Sequence, residues 1–151
     1  MSGRREDVQA LWARTSLRLW PEDYALASLP AEALPAAAAF VASRSGCFLA
    51  LVLERDEVSL TAPEGLWRAS PLRARARRES GPYRAITLDL DLDLGVCGYL
   101  APAAARLAAA GISIVPQCGF LKDHLLVHAP DVERAVAVLE AWIGRCRGAT
   151  P

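Results

Sequence analysis

The sequence predicts an α+β fold built from two ferredoxin-like units, each an antiparallel sheet covered by helices on one face. Three patterns carry this. Strict alternation of apolar and polar residues from Arg84 to Leu92 marks a half-buried strand. Apolar stripes at helical spacing follow Gly98 and Pro130. Two stretches, Cys47–Ala62 and Ile112–Ala129, each read as a pair of strands folded about a short turn. A compact chain of 151 residues buries roughly 70% of the surface it exposes when unfolded, enough for one domain or two small ones.

In chain order, residues 1–14 read as a tail, with charges where a signal peptide would need an apolar run. "TSLRLW", Thr15–Trp20, and "YALASL" have strand character. "AEALPAAAAFVAS" is helical, and "CFLALVLERDEVSLTA" is a hairpin turning at Arg55 and Asp56. Residues 15–66 thus form a first unit. Residues 67–82 are expected to be an arginine-rich connector, since the stretch carries Pro71, Gly81 and Pro82 and no sustained apolar period.

The second unit spans residues 83–144. In its strand, Ile86, Leu88, Leu90 and Leu92 face inward, whereas Thr87, Asp89 and Asp91 are expected on the solvent side. "GYLAPAAARLAAAG", Gly98–Gly111, puts Tyr99, Leu100, Ala103, Leu107 and Ala108 on one helical stripe; Pro102 fits the first turn and Gly111 the stop. Strands Ile112–Phe120 and Asp123–Ala129 flank a turn at Gly119–Lys122, and Pro116, which cannot donate to a ladder, predicts that its strand is an edge or is bulged there. Asp131 is a good N-cap for a last helix whose buried stripe is Val132, Ala135, Val136, Leu139, Trp142 and Ile143. Residues 145–151 are a tail. This β-α-β-β-α order is one strand short of βαββαβ, so a strand must be lent from elsewhere, and Thr15–Trp20 is the candidate.

Composition argues against several functions. With 17 basic and 17 acidic side chains, no net field draws in nucleic acid or an anionic membrane. The arginines of the connector have no interleaved aromatic residues from Ser70 to Ser80, so base stacking lacks its parts. The longest apolar stretch, from Pro35, is too short to span a bilayer. Cys47, Cys97, Cys118 and Cys146 show no paired spacing, which fits reduced thiols in a cytoplasm and neither a disulfide framework nor a metal site.

"ITLDLDLDLGVCG" raises the question of a metal. Strand residues two apart are separated by roughly 6.5 Å, so the carboxylates of Asp89, Asp91 and Asp93 spread over about 13 Å and cannot close on one ion. An EF-hand reading also fails, because the sixth and twelfth positions counted from Asp89 hold Leu94 and Leu100. The turn after the strand is more informative. It leads toward a helix start, where free N–H groups favour an anion, and Gly95 and Gly98 allow close approach. An ordinary βα turn is the alternative. Cys97 with His124 could be imagined as nucleophile and base, although a small turn residue and a strand residue explain them more simply.

At "DLGVCGYLAPAAARLAAAGISIVPQCGFLKDHLLV" the sequence resembles the ACT-domain family, in particular small tandem-ACT proteins similar to the cytosolic arginine sensors (CASTOR-like). The resemblance rests on the strand entering a glycine-containing turn, the helix ending in "AAAGISI", and "GFLKDHLLV"; it covers Tyr83 to about Trp142. "LRLWPEDYALASLP" and "FLALVLERDEVSLTAPEG" resemble a degenerate N-terminal ACT unit more loosely. The resemblance implies a non-catalytic sensor that binds a free amino acid between ACT units. Its ligand-binding residues would be Asp93, Leu94, Gly95, Val96, Cys97 and Gly98 in the turn, Cys118, Gly119 and Phe120 at the strand end, and Asp123. A homodimer through the C-terminal unit, an unknown regulated protein, no metal and no cofactor are further expectations. The alternatives are a ligand-free interaction or dimerisation module and a small enzyme using Cys97 and His124.

Overall fold

A computed structural model describes residues 7–149. It contains, in chain order, α1 (Val8–Arg14), β1 (Ser16–Pro30), α2 (Leu34–Ala42), β2 (Ala50–Leu53), β3 (Glu57–Pro63), α3 (Glu64–Arg68), β4 (Arg78–Asp89), α4 (Ala101–Ala109), β5 (Ile114–Cys118), β6 (Asp123–His128) and α5 (Val132–Ala149). The chain divides into two compact units. A central unit is Trp20–Ala85, and a terminal unit joins the described residues up to Leu19 with those from Ile86 onward.

The central unit is a complete βαββαβ arrangement. Its strand order is β2-β3-β1-β4, with β1 antiparallel to β3 from Tyr24↔Pro63 to Pro30↔Glu57. Leu29, Ala37, Phe40, Val58, Leu60 and Trp67 form its core. Where a second long helix is usual, it has only α3 and a 3-10 turn at Pro71–Arg75. Gly81 on β4 comes so near β1 that an added Cβ would lie 2.9 Å from the Tyr24 carbonyl oxygen, and its φ of +156° disfavours a side chain.

The terminal unit uses the start of β1 and the end of β4, in the order β1-β4-β6-β5. Its core is a separate cluster that includes Trp12, Ile86, Leu88, Tyr99, Leu107, Leu125, Leu139 and Ile143. The expected lent strand is therefore Ser16–Leu19, the opening of β1. Pro116 lies on β5, at the sheet edge, where its missing N–H costs no ladder bond.

The boundaries read from the sequence need correction. Residues 8–14 are a helix with Leu11 and Trp12 buried in the terminal core, where residues 1–14 were expected to be a tail. The 67–82 stretch is the end of α3, a 3-10 turn and the first part of β4, braced by Arg73 on Glu79, and α5 runs on to Ala149. The unit borders also fall inside strands, at Leu19/Trp20 and Ala85/Ile86, and not at 66/67 and 82/83. The physical reason is length: β1 and β4 have 15 and 12 residues, against about 5–6 for a typical strand, so each serves both units.

Three smaller differences follow from packing. Thr87, expected on the solvent side, is buried and meets His124 Nδ1 at 2.8 Å. Ala108 is exposed, whereas Tyr99, Ala103 and Leu107 are buried as the stripe predicts. Helix α4 begins only at Ala101, with Pro102 in its first turn, and Gly111 at φ +72° lies just beyond its end. Asp131 ends a 3-10 turn that runs into α5, and its carboxylate accepts from Arg134.

Candidate functional site

In the terminal unit, β4 gives way to a loop, Leu90–Leu100, before α4 begins. Asp93 organises it: its side chain accepts from the Gly95 N–H at 2.7 Å and its carbonyl from the Val96 N–H at 3.0 Å. Leu92 N–H bonds the Leu121 carbonyl at 2.9 Å, which ties the loop to the β5–β6 turn. Leu92, Val96 and Leu100 pack on the core below. Gly98, at φ +84°, makes the bend that leads toward α4.

A cleft of about 330 Å³ lies between this loop and the β5–β6 turn. Of the ten residues singled out from the sequence, Asp93, Leu94, Val96, Gly98, Cys118, Gly119, Phe120 and Asp123 line it; Gly95 and Cys97 sit on the same loop outside its lining. The amides are not all open, as the turn alone suggested. Gly95 and Val96 N–H are bonded to Asp93, while among the described residues Leu94, Cys97 and Gly98 N–H have no intramolecular acceptor.

Asp123 opens β6 opposite Cys118 and faces the cleft. The Cys118 thiol donates to its carboxylate, and this bond, with burial and the nearby charge, pushes the thiol pKa up to about 11. A thiol is a weak donor, so the carboxylate keeps most of its accepting capacity. Tyr99 forms a fixed wall: its ring stacks on Trp12 at 4.8 Å, its hydroxyl meets Thr15 Oγ1 at 2.6 Å, and its carbonyl accepts from the Trp12 indole at 2.8 Å. Burial raises the phenol to about 12, so it stays neutral.

The aspartates of the alternating run hold protein cations. Asp89 pairs with Arg18 at 2.6 Å and with Lys122 at 3.3 Å, and Lys122 also bonds Asp91. These contacts hold the Asp89 carboxyl below the usual carboxylate range, Arg18 contributing most. Among the described residues, no group of three or more His, Cys, Asp or Glu side chains is placed to hold a metal ion. His124 is half-buried and bonded to Thr87, while Cys97 is exposed.

Sequence reasoning missed Leu92, Tyr99, Leu100, Ala101, Leu121 and Lys122 as cleft residues. Lys122, the one lysine of the chain, was a compositional signal that carried no partner information. A cation one residue before Asp123, within a turn, would have been the clue.

No family model and no curated protein matches the chain. Solved structures do. A Vibrio cholerae protein of unknown function, VC0802, titled a possible transport protein, matches with a TM-score of 0.72 and 21% identity over 90% of this chain and 95% of that one. Protein Atu0741 from Agrobacterium tumefaciens matches at 0.68 and 25% identity, over 85% and 89%. The ligand-free regulatory subunit of aspartate kinase from Thermus thermophilus matches at 0.60 and 12% identity, over 85% and 97%. Among the described residues, no helix is long and apolar enough to cross a membrane. The chain thus has an α+β fold of two ferredoxin-like, ACT-type units, the fold also found in regulatory regions of aspartate kinase.

Proposed function

We propose that this protein is a non-catalytic, cytoplasmic regulatory module whose terminal unit binds a free amino acid in the cleft between Leu92 and Asp123. One observation carries the reading: a carboxylate that, among the described residues, is hydrogen-bonded only by a thiol faces the same small cleft as a loop whose Cys97 and Gly98 amides have no acceptor among those residues. Asp123 can take an α-ammonium through charge-assisted hydrogen bonds, and the N–H groups of Cys97 and Gly98 suit an α-carboxylate. The regulatory role of the aspartate kinase subunit with the same fold supports it.

The ligand works by binding energy, stabilising one arrangement that an unidentified partner protein reads. A homodimer through the terminal unit completes the site, since Leu94, Phe120 and Leu121 stand 70%, 75% and 49% exposed beside the cleft, an apolar rim suited to a second copy. Thermal denaturation with each free amino acid tests the proposal: at a hundred times Kd a ligand adds about 2.7 kcal/mol. A shift with one amino acid, lost in Asp123→Ala, is the expected result. No shift with any of them favours a ligand-free interaction module, and sedimentation velocity then reports whether that module still dimerises.

A further inference from the structure

We infer that the central unit holds a second binding site, for a small organic carboxylate with an apolar body, in the cavity between the end of α2 and the 3-10 turn at Pro71–Arg75. It is independent of the amino-acid reading, which concerns the terminal unit. The cavity measures about 370 Å³, within the roughly 300–1,000 Å³ range of small-molecule pockets. Its floor is Phe40 and Leu72, both buried in the central core, and Ala36 and Pro71 extend the apolar wall. Such a lining takes the hydrocarbon part of a ligand.

The charged groups of the lining are two guanidiniums, Arg44 and Arg75, and no carboxylate is among them. Neighbouring arginines have acceptors: Arg68 pairs with Glu64, Arg73 with Glu79, and Arg77 donates to the Asp56 carbonyl. Arg44 and Arg75 have no ion pair or side-chain hydrogen bond among the described residues; Arg44 rests on the Phe40 ring, 5.1 Å from its centre, which leaves its N–H donors open. Ser70 Oγ accepts from the Leu72 N–H at 3.2 Å and keeps its own proton for a ligand. The carbonyls at the end of α2 are covered: Ala39 and Val41 accept from the Ser43 and Arg44 N–H groups, and Phe40 from the Ser43 hydroxyl. A carboxylate therefore meets donors only, and guanidinium is the group that takes it through two parallel bonds. A free amino acid fits poorly, since its ammonium finds no carboxylate here, and a second copy of this face would set arginine against arginine.

Isothermal titration of the full chain with octanoate and 1-naphthoate, against octanol, octylamine and acetate, tests the site. At least one apolar carboxylate is expected to bind about tenfold or more tightly than each control, which lacks the charge, reverses it or lacks the apolar body. Arg44→Ala and Arg75→Ala should each weaken that carboxylate about tenfold, the loss of a charged hydrogen bond. Both side chains are exposed, so the melting temperature should stay near the original. Ala36→Glu, at an exposed helix position, sets a like charge in the wall and should have the same effect on binding. Asp123→Ala, in the terminal cleft, should leave the affinity unchanged; a loss there assigns the carboxylate to that cleft and overturns the inference. Equal binding of octanol or acetate, affinity retained when both arginines are replaced, or no binding of either carboxylate also overturns it. Amino-acid binding by the terminal unit stands or falls separately.

Discussion

From β4 onward the terminal unit repeats the β-α-β-β-α order with which the central unit begins, but the two differ where that strand hands over to the helix after it. In the central unit, β1 ends at Pro30 and a 3-10 turn at Ala31–Ala33 runs straight into α2. In the terminal unit, β4 stops at Asp89 and α4 waits until Ala101, so eleven intervening residues build one wall of a cleft. The helical layers differ as well. The terminal unit carries the 18-residue α5, with Trp142 capped by Arg106 at 3.5 Å from its ring centre. The central unit has two short turns there, held by Glu79, which accepts from the Trp67 indole and from Arg73. The lesson is that a common scaffold tolerates either a tight or an open junction, and the open one forms the cleft to which the proposed function assigns the ligand.

The largest test of this contrast is Trp12→Ala. It empties a fully buried site in the terminal core and removes the stacking wall behind Tyr99, so a loss of about 3–5 kcal/mol is expected in chemical denaturation. Amide exchange should show the loss concentrated in α4, α5 and the 90–100 loop. Equal loss of protection in α2 and β3 would break the distinction between the units.

Asp123→Ala comes next. The side chain is half-buried and its hydrogen-bond partner is a thiol, so the unliganded protein should melt within a few degrees of the original. The roughly 2.7 kcal/mol that a saturating ligand adds should vanish. A retained shift would move the site away from Asp123 and remove the main difference between the units.

In the central unit, Gly81→Ala should cost about 1–3 kcal/mol, because a Cβ would press on the Tyr24 carbonyl at an unfavourable φ. Ligand affinity in the terminal unit should be unchanged, as measured by titration calorimetry.

The smallest effects are in pH dependence, and the two units should respond in different windows. Burial lowers the His124 pKa below its ordinary value; Asp123 opposes this, while Arg18 and Lys122 reinforce it. A base with a depressed folded pKa is protonated first in the unfolded chain, so its contribution to stability is present above about pH 6.5 and declines as pH falls below that. In the central unit, hydrogen bonds from Arg73 and Trp67 lower Glu79 to about 2. Its contribution is complete above the ordinary glutamate pKa near 4.3 and is lost as pH falls toward 2. NMR titration of the His124 ring and the Glu79 carboxyl checks both; a midpoint for His124 above 6.5 would contradict the burial argument.

Much of the fold was legible because its signals are local. The alternation of β4, which ends at Asp89 and not at the expected Leu92, the turn at Gly119–Lys122, the hairpin turning near Asp56 and the stripe of α5 each depend on residues a few positions apart. The short helix α1 was not legible: seven residues with two large apolar side chains give too little periodicity to distinguish from a tail. The unit borders were hidden for another reason. Pro21 follows Trp20 directly, yet β1 continues through it from Ser16 to Pro30, and no glycine or proline lies within two residues of Ala85 or Ile86, so neither border coincides with a break in its strand. The cleft was half legible, with the loop and the turn found and Lys122 and Tyr99 overlooked.

By itself the sequence determined most of the strands and the helices α2, α4 and α5, where the chain turns, and that a carboxylate and a glycine-containing loop stand near the ends of neighbouring elements. Tertiary structure alone decided which segments share a core and which charges meet. Trp12 donates to Tyr99 across 87 residues and Arg18 reaches Asp89 across 71. Backbone preference acts over one turn or one pleat, whereas burial and ion pairing depend on distance in space, which residue order does not specify.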